Sequence, residues 1–155
     1  MYKQELPLLF HDDEGVTKVQ KTFFDPFEYL FLRHKGGEFK TDFKQGLGEV
    51  GYQVACHLRV QNIGMKTRDI LNLIPDTTIH AQERCSGHDG TYAVRRETYD
   101  DAVKIARPVV RKIDQLNVQH LSSDCPMAAS HLAELSETID KPEHPMSLLR
   151  LAYGL

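Results

Sequence analysis

The feature that most constrains this chain is the placement of its three cysteines. Cys56 closes the short apolar run Tyr52–Ala55, Cys85 follows Thr78–Arg84, and Cys125 follows Val118–Asp124. Each thiol is succeeded by a segment of helical character. Strand, cysteine and helix in alternation is the order that builds a parallel sheet covered by helices. The strands of such a sheet share one carboxyl edge, where open α/β folds place their chemistry. Three thiols far apart in sequence are therefore expected to meet in space.

Composition sets the outer limits. A chain of 155 residues with 41% hydrophobic content can bury one core, so one domain body is expected. A formal charge of -3 and a pI near 6.2 give no electrostatic footprint for nucleic acid. No apolar run approaches the roughly 20 residues that span a bilayer. Met1–Phe10 contains Glu5 and lacks the basic start of a secretory signal. An odd cysteine count without such a signal argues against a disulfide framework and for the cytoplasm.

All seven phenylalanines lie within the first 43 residues, between Phe10 and Phe43, whereas the cysteines come later. Residues 1–48 read as an aromatic-rich arm and 49–155 as a cysteine-rich α/β body. In the arm, Asp25 is placed to cap a helix with Pro26 at its first position. Phe27, Leu30 and Phe31 recur at helical spacing up to His34, and Gly36-Gly37 ends the element. The aromatics serve core packing or cover a surface meant for a partner. In the body, Thr67–Ile74 is helical and stopped by Pro75-Asp76. Thr98 is placed to cap a helix striped by Val103, Ala106, Val110 and Ile113, in which Pro108 predicts a kink or break. Pro126 opens a further helix, and Pro145–Tyr153 forms the last. The expected fold is α/β, a Rossmann-like parallel sheet flanked by helices with an N-terminal helical arm.

Thiolates are soft ligands suited to iron–sulfur clusters or zinc. The intervals between the cysteines are too wide for paired C-x-x-C zinc ligands and fit separate βα loops donating one ligand each. Sulfurs serving one site should lie roughly 4–8 Å apart on the sheet edge. Ser86-Gly87-His88-Asp89-Gly90 is a glycine-bounded polar turn whose backbone can approach a sulfide or anion. His88 and Asp89 are candidates for a fourth ligand or a proton; His57 and His131 are further candidate ligands. A Cys85–His88 nucleophile lacks an identifiable orienting group. Against all of these stands the ordinary buried, inert role of a free cysteine.

Val54-Ala55-Cys56-His57-Leu58, Glu83-Arg84-Cys85-Ser86-Gly87-His88-Asp89-Gly90-Thr91-Tyr92 and Ser123-Asp124-Cys125-Pro126-Met127-Ala128 resemble a known domain. It is the cysteine-rich, CCG-type domain of iron–sulfur oxidoreductases related to heterodisulfide reductase. Within that superfamily the chain is most similar to the C-terminal part of the iron–sulfur component of anaerobic glycerol-3-phosphate dehydrogenases. The resemblance extends to Phe24-Asp25-Pro26-Phe27-Glu28-Tyr29-Leu30 and to His144-Pro145. It implies the second copy of a normally duplicated domain, working with ferredoxin-type iron–sulfur modules and a flavin-bearing dehydrogenase. Electrons would pass through iron–sulfur centres towards a membrane quinone pool, with the protein at the inner face of the membrane through its partners. Such a chain is a component of an oxidoreductase rather than an independent catalyst, in a homo- or hetero-oligomer.

Two departures shape the expectation. Ser86 stands where the family pattern has the second cysteine of a pair, and Ala128 where it closes a C-x-x-C. That leaves three of five thiolates, enough for a 4Fe-4S cluster with one non-cysteine ligand. The expected cofactor ligands are Cys56, Cys85 and Cys125 with Ser86, Gly87 and His88 around them, and His88 or His57 completing the metal set. The second departure is length, which makes the chain a separately encoded half, a truncated product or a fragment. Two rivals stay open: a cluster-free scaffold that docks the partner, and a mononuclear zinc site.

Overall fold

A computed structural model describes residues 2–155. Strands β1 (Gly48–Gln53), β2 (Thr77–Gln82) and β3 (His120–Ser123) form one parallel sheet with β1 in the centre. Gln53 lies opposite both Gln82 and Ser123, so the three strands end level. Eight helices accompany them among the described residues: α1 (Leu6–Leu9), α2 (Glu14–Thr22), α3 (Pro26–Lys35), α4 (Cys56–Gln61), α5 (Lys66–Leu71), α6 (Tyr99–Leu116), α7 (Pro126–Leu135) and α8 (Pro145–Ala152). The chain is an α/β protein with a parallel sheet flanked by helices, as the cysteine placement predicts.

Side chains alternate across a strand, which divides the core in two. Val50 packs with Phe27 of α3, Ile70 and Leu71 of α5, and Leu148 of α8. On the other face Leu121 packs with Ala106, Val109 and Ile113 of α6 and with Leu132 of α7. Gly51 belongs to this second face: a methyl group there would lie 3.5 Å from Ile113 and 3.4 Å from Val118. The bare backbone of the central strand thus lets α6 settle closely onto the sheet. Phe27, at 1% exposure, ties the aromatic arm into the first core cluster.

The helix signals explain most boundaries. Asp25 Oδ1 accepts from the Phe27 and Glu28 amides at 2.9 and 3.3 Å, and the Glu28 carboxylate accepts from the Asp25 amide. This reciprocal cap fixes the start of α3. Pro108 does not break α6, which runs unbroken for 18 residues. Pro108 is exposed, so the helical carbonyl it leaves without a donor can be hydrated. Thr98 stands at the head of α6 without capping it, because its hydroxyl donates back to the Tyr92 carbonyl at 2.9 Å. The strand of Cys56 begins at Gly48, upstream of the apolar run that marks it in the sequence. No helix among the described residues is long and apolar enough to cross a membrane.

Candidate cysteine site

All three cysteines sit just beyond the level strand ends. Cys56 opens α4, Cys85 lies in the loop after β2, and Cys125 is the residue preceding α7. All three are free thiols; Cys56 and Cys85 are exposed and Cys125 is half-buried. The register makes this inevitable once the sheet forms, since Cys56 follows Gln53 as Cys85 follows Gln82.

Two of the thiols act on the third. Partial burial raises the Cys56 pKa, the nearby Cys85 thiolate raises it next, and Asp89 and Cys125 add to the rise. Arg59 opposes them. Burial and repulsion of this kind disfavour the Cys56 thiolate in the metal-free chain. The Gly87 amide also donates to Cys85 Sγ at 3.4 Å.

The Ser86–Gly90 turn is anchored from beneath. Gly87 has φ +79, and a methyl group on it would come within 2.1 Å of the Ala102 carbonyl oxygen. The loop therefore rests directly on the backbone of α6, a contact open only to glycine. Ser86 is buried and its hydroxyl accepts from the His88 amide at 3.3 Å. Gly90 also has positive φ, but nothing lies within 4 Å of a methyl group there. Ala128, three residues beyond Cys125, is buried in α7.

His57 lies apart from the other two candidate histidines. His57 is exposed and lines a cleft of about 470 Å³ with Tyr2, Phe23, Phe24 and Val60, on the side of the arm. His88 is half-buried, and its charge acts on His131 of α7. His131 is only 3% exposed, and neither ring nitrogen has a hydrogen-bond partner among the described residues. Burial lowers its pKa, with His88 adding to the fall, while the nearby Ala102 carbonyl and Glu134 pull the other way. Of the polar residues in the turn, Asp89 is the one whose charge reaches Cys56.

Two buried polar networks escape a reading of the sequence. Gln53 Nε2 donates to the Val54 carbonyl at 2.8 Å and to the Arg84 carbonyl at 3.1 Å, and Gln53 Oε1 accepts from the Ser123 hydroxyl at 2.9 Å. Ser123 Oγ in turn accepts from the Cys125 amide at 3.2 Å. On the opposite sheet face, the Tyr52 hydroxyl donates to Asp124 Oδ2 and the Thr67 hydroxyl donates to Oδ1 at 2.9 Å. Burial is the main cause that raises Asp124 above the usual carboxylate range, and it raises the Tyr52 phenol as well. Nothing in the pattern of apolar residues marks Gln53; its one signal is a polar residue at the end of the central strand.

The donor set can be weighed against the two metal groups. Zinc with bonds of about 2.3 Å to sulfur would draw three thiolates to about 4 Å from one another. Among the described residues no group of three or more His, Cys, Asp or Glu is gathered to hold a single metal ion. Three thiols at one sheet edge, two of them exposed, are the soft donor type that zinc and iron–sulfur clusters share. Compared with family models, curated proteins and solved structures, the chain gives no match.

Proposed function

We propose that this chain is an electron-transfer module that carries an iron–sulfur cluster at the carboxyl edge of its sheet. The observation that carries the reading is the register: three adjacent parallel strands end level, each delivers a thiol, and Cys56 feels the charge of Cys85 and Cys125. Cys56, Cys85 and Cys125 would hold the cluster, which when bound supplies one-electron transfer. The Gly87 amide would donate to the Cys85 sulfur. His88 and Asp89, neighbours in the same turn, offer the non-cysteine ligand. The likeness of the three cysteine segments to the heterodisulfide reductase-related domain supports the same reading. Its flavin-bearing dehydrogenase and ferredoxin-type partners, and quinone as the electron destination, belong to this proposal.

Anaerobic reconstitution with iron and sulfide tests it. The expected product retains both after desalting and shows a broad thiolate-to-iron absorption band, which Cys56→Ser, Cys85→Ser and Cys125→Ser each diminish. Protein that retains neither iron nor sulfide would falsify the reading. A second reading, a cluster-free docking half, is favoured by the exposed Phe23, Phe24 and Val60 around the arm cleft. It requires partner binding to survive replacement of all three cysteines by alanine.

A further inference from the structure

We infer that Gln53, acting through Ser123, is the positioning residue of the three-thiol site. What the thiols bind rests on the function proposed above; how they are placed stands apart from it. A primary amide offers two N–H donors and a carbonyl acceptor. Gln53 is 1% exposed and uses both kinds of group.

Its partners lie immediately ahead of the cysteines. The Val54 carbonyl stands two residues before Cys56, and the Arg84 carbonyl stands one before Cys85. Ser123, two residues before Cys125, receives the Cys125 amide on the hydroxyl that it donates to Gln53. One side chain on the central strand thus gathers the ends of all three strands. The strand ladder alone does not do this: the register stops at Gln53, Gln82 and Ser123, short of each cysteine.

The residue type follows from the task. Glutamate would lack the two donors, asparagine is one methylene shorter, and methionine would fill the space with no polar reach. An apolar side chain would be the simplest occupant of a site facing the core between the sheet and α6–α7. A fully bonded amide there is matched to holding backbone in place. Placement at this precision governs any chemistry that needs several groups together, where a displacement of about 1 Å can cost on the order of a hundredfold.

The test uses the full metal-free chain under anaerobic conditions. A short bis-maleimide is added, and peptide mapping measures the rate at which each of the three cysteine pairs becomes bridged. Gln53→Met, with folding verified by circular dichroism and cooperative unfolding, should slow all three pairs by about tenfold or more. Ser123→Ala should slow the two pairs that contain Cys125 and leave the Cys56–Cys85 pair at its wild-type rate. Wild-type rates in folded Gln53→Met, or a uniform effect of Ser123→Ala on the three pairs, overturn the inference. If Gln53→Met does not fold, the selectivity of Ser123→Ala decides. Wild-type protein that takes up no iron yet shows this pattern leaves the positioning role standing and removes the cluster.

Discussion

Two glycines three residues apart separate conformational demand from steric demand. Gly87 and Gly90 both have positive φ, yet only Gly87 meets a neighbouring backbone, at the Ala102 carbonyl. Gly90→Ala should therefore cost about 1 kcal/mol, the strain of the left-handed region alone. Gly87→Ala should cost several times as much or displace the turn, because a helix backbone cannot yield the space. Denaturant unfolding of the two variants gives the comparison, and equal costs would show that the turn does not rest on α6. His131 poses a different residue-scale question, because its imidazole is buried without partners among the described residues. Its pKa is lower in the folded chain than the usual value of about 6.5, so the unfolded chain binds the extra proton first. Its contribution to stability is complete above that usual value and is lost as pH falls from there to the folded one. His131→Leu should remove this acid sensitivity and change stability at neutral pH little, since it loses the ring's approach to the Ala102 carbonyl together with the cost of burying a polar ring. Urea titrations across pH 5–8 (a range of about three units around the histidine value) resolve the two effects.

At the scale of elements, local chemistry decides what a sequence reveals. The helix from Pro26 is legible because Asp25, Pro26 and Glu28 spell out a cap that needs no tertiary context. Asp25→Ala should accordingly cost about 1 kcal/mol. The long helix is legible from its apolar stripe, but its continuity through Pro108 is not, since that depends on Pro108 facing water. Pro108→Ala should stabilise the chain by about 1–3 kcal/mol, which thermal unfolding would detect as a raised midpoint. A lowered midpoint would mean that the proline is required by packing rather than tolerated by exposure. The first half of the central strand is hidden because Gly48, Glu49 and Gly51 carry no apolar signal. Their places are set by neighbours: the Glu49 carbonyl accepts from the Gln119 amide, and Gly51 makes room for α6. The histidines are least legible of all. Proximity in sequence puts His57 beside Cys56, but the first turn of α4 carries its side chain to the cleft beside the arm.

For the molecule as a whole, the site and the fold are coupled through one edge of the sheet. Two of the three thiols are exposed and make little packing, so the metal-free fold should not depend on them. Replacing all three cysteines by serine should therefore leave the unfolding midpoint of the metal-free chain nearly unchanged. Phe27→Ala should behave in the opposite manner: it opens a cavity where the arm enters the core, costs about 3–5 kcal/mol, and leaves the thiol edge itself intact. Binding changes this balance. A group held, as proposed, by Cys56, Cys85 and Cys125 would link the ends of β1, β2 and β3, segments distant in sequence, and would have no equivalent site in the unfolded chain. By mass action, occupancy at a hundred times the dissociation constant adds about 2.7 kcal/mol. The reconstituted chain should thus unfold at a higher temperature than the metal-free chain, and the gain should vanish in each single serine variant. Anaerobic thermal scans of reconstituted and metal-free protein measure it. Stabilisation that survives loss of any one thiol would place the bound group elsewhere than on this edge.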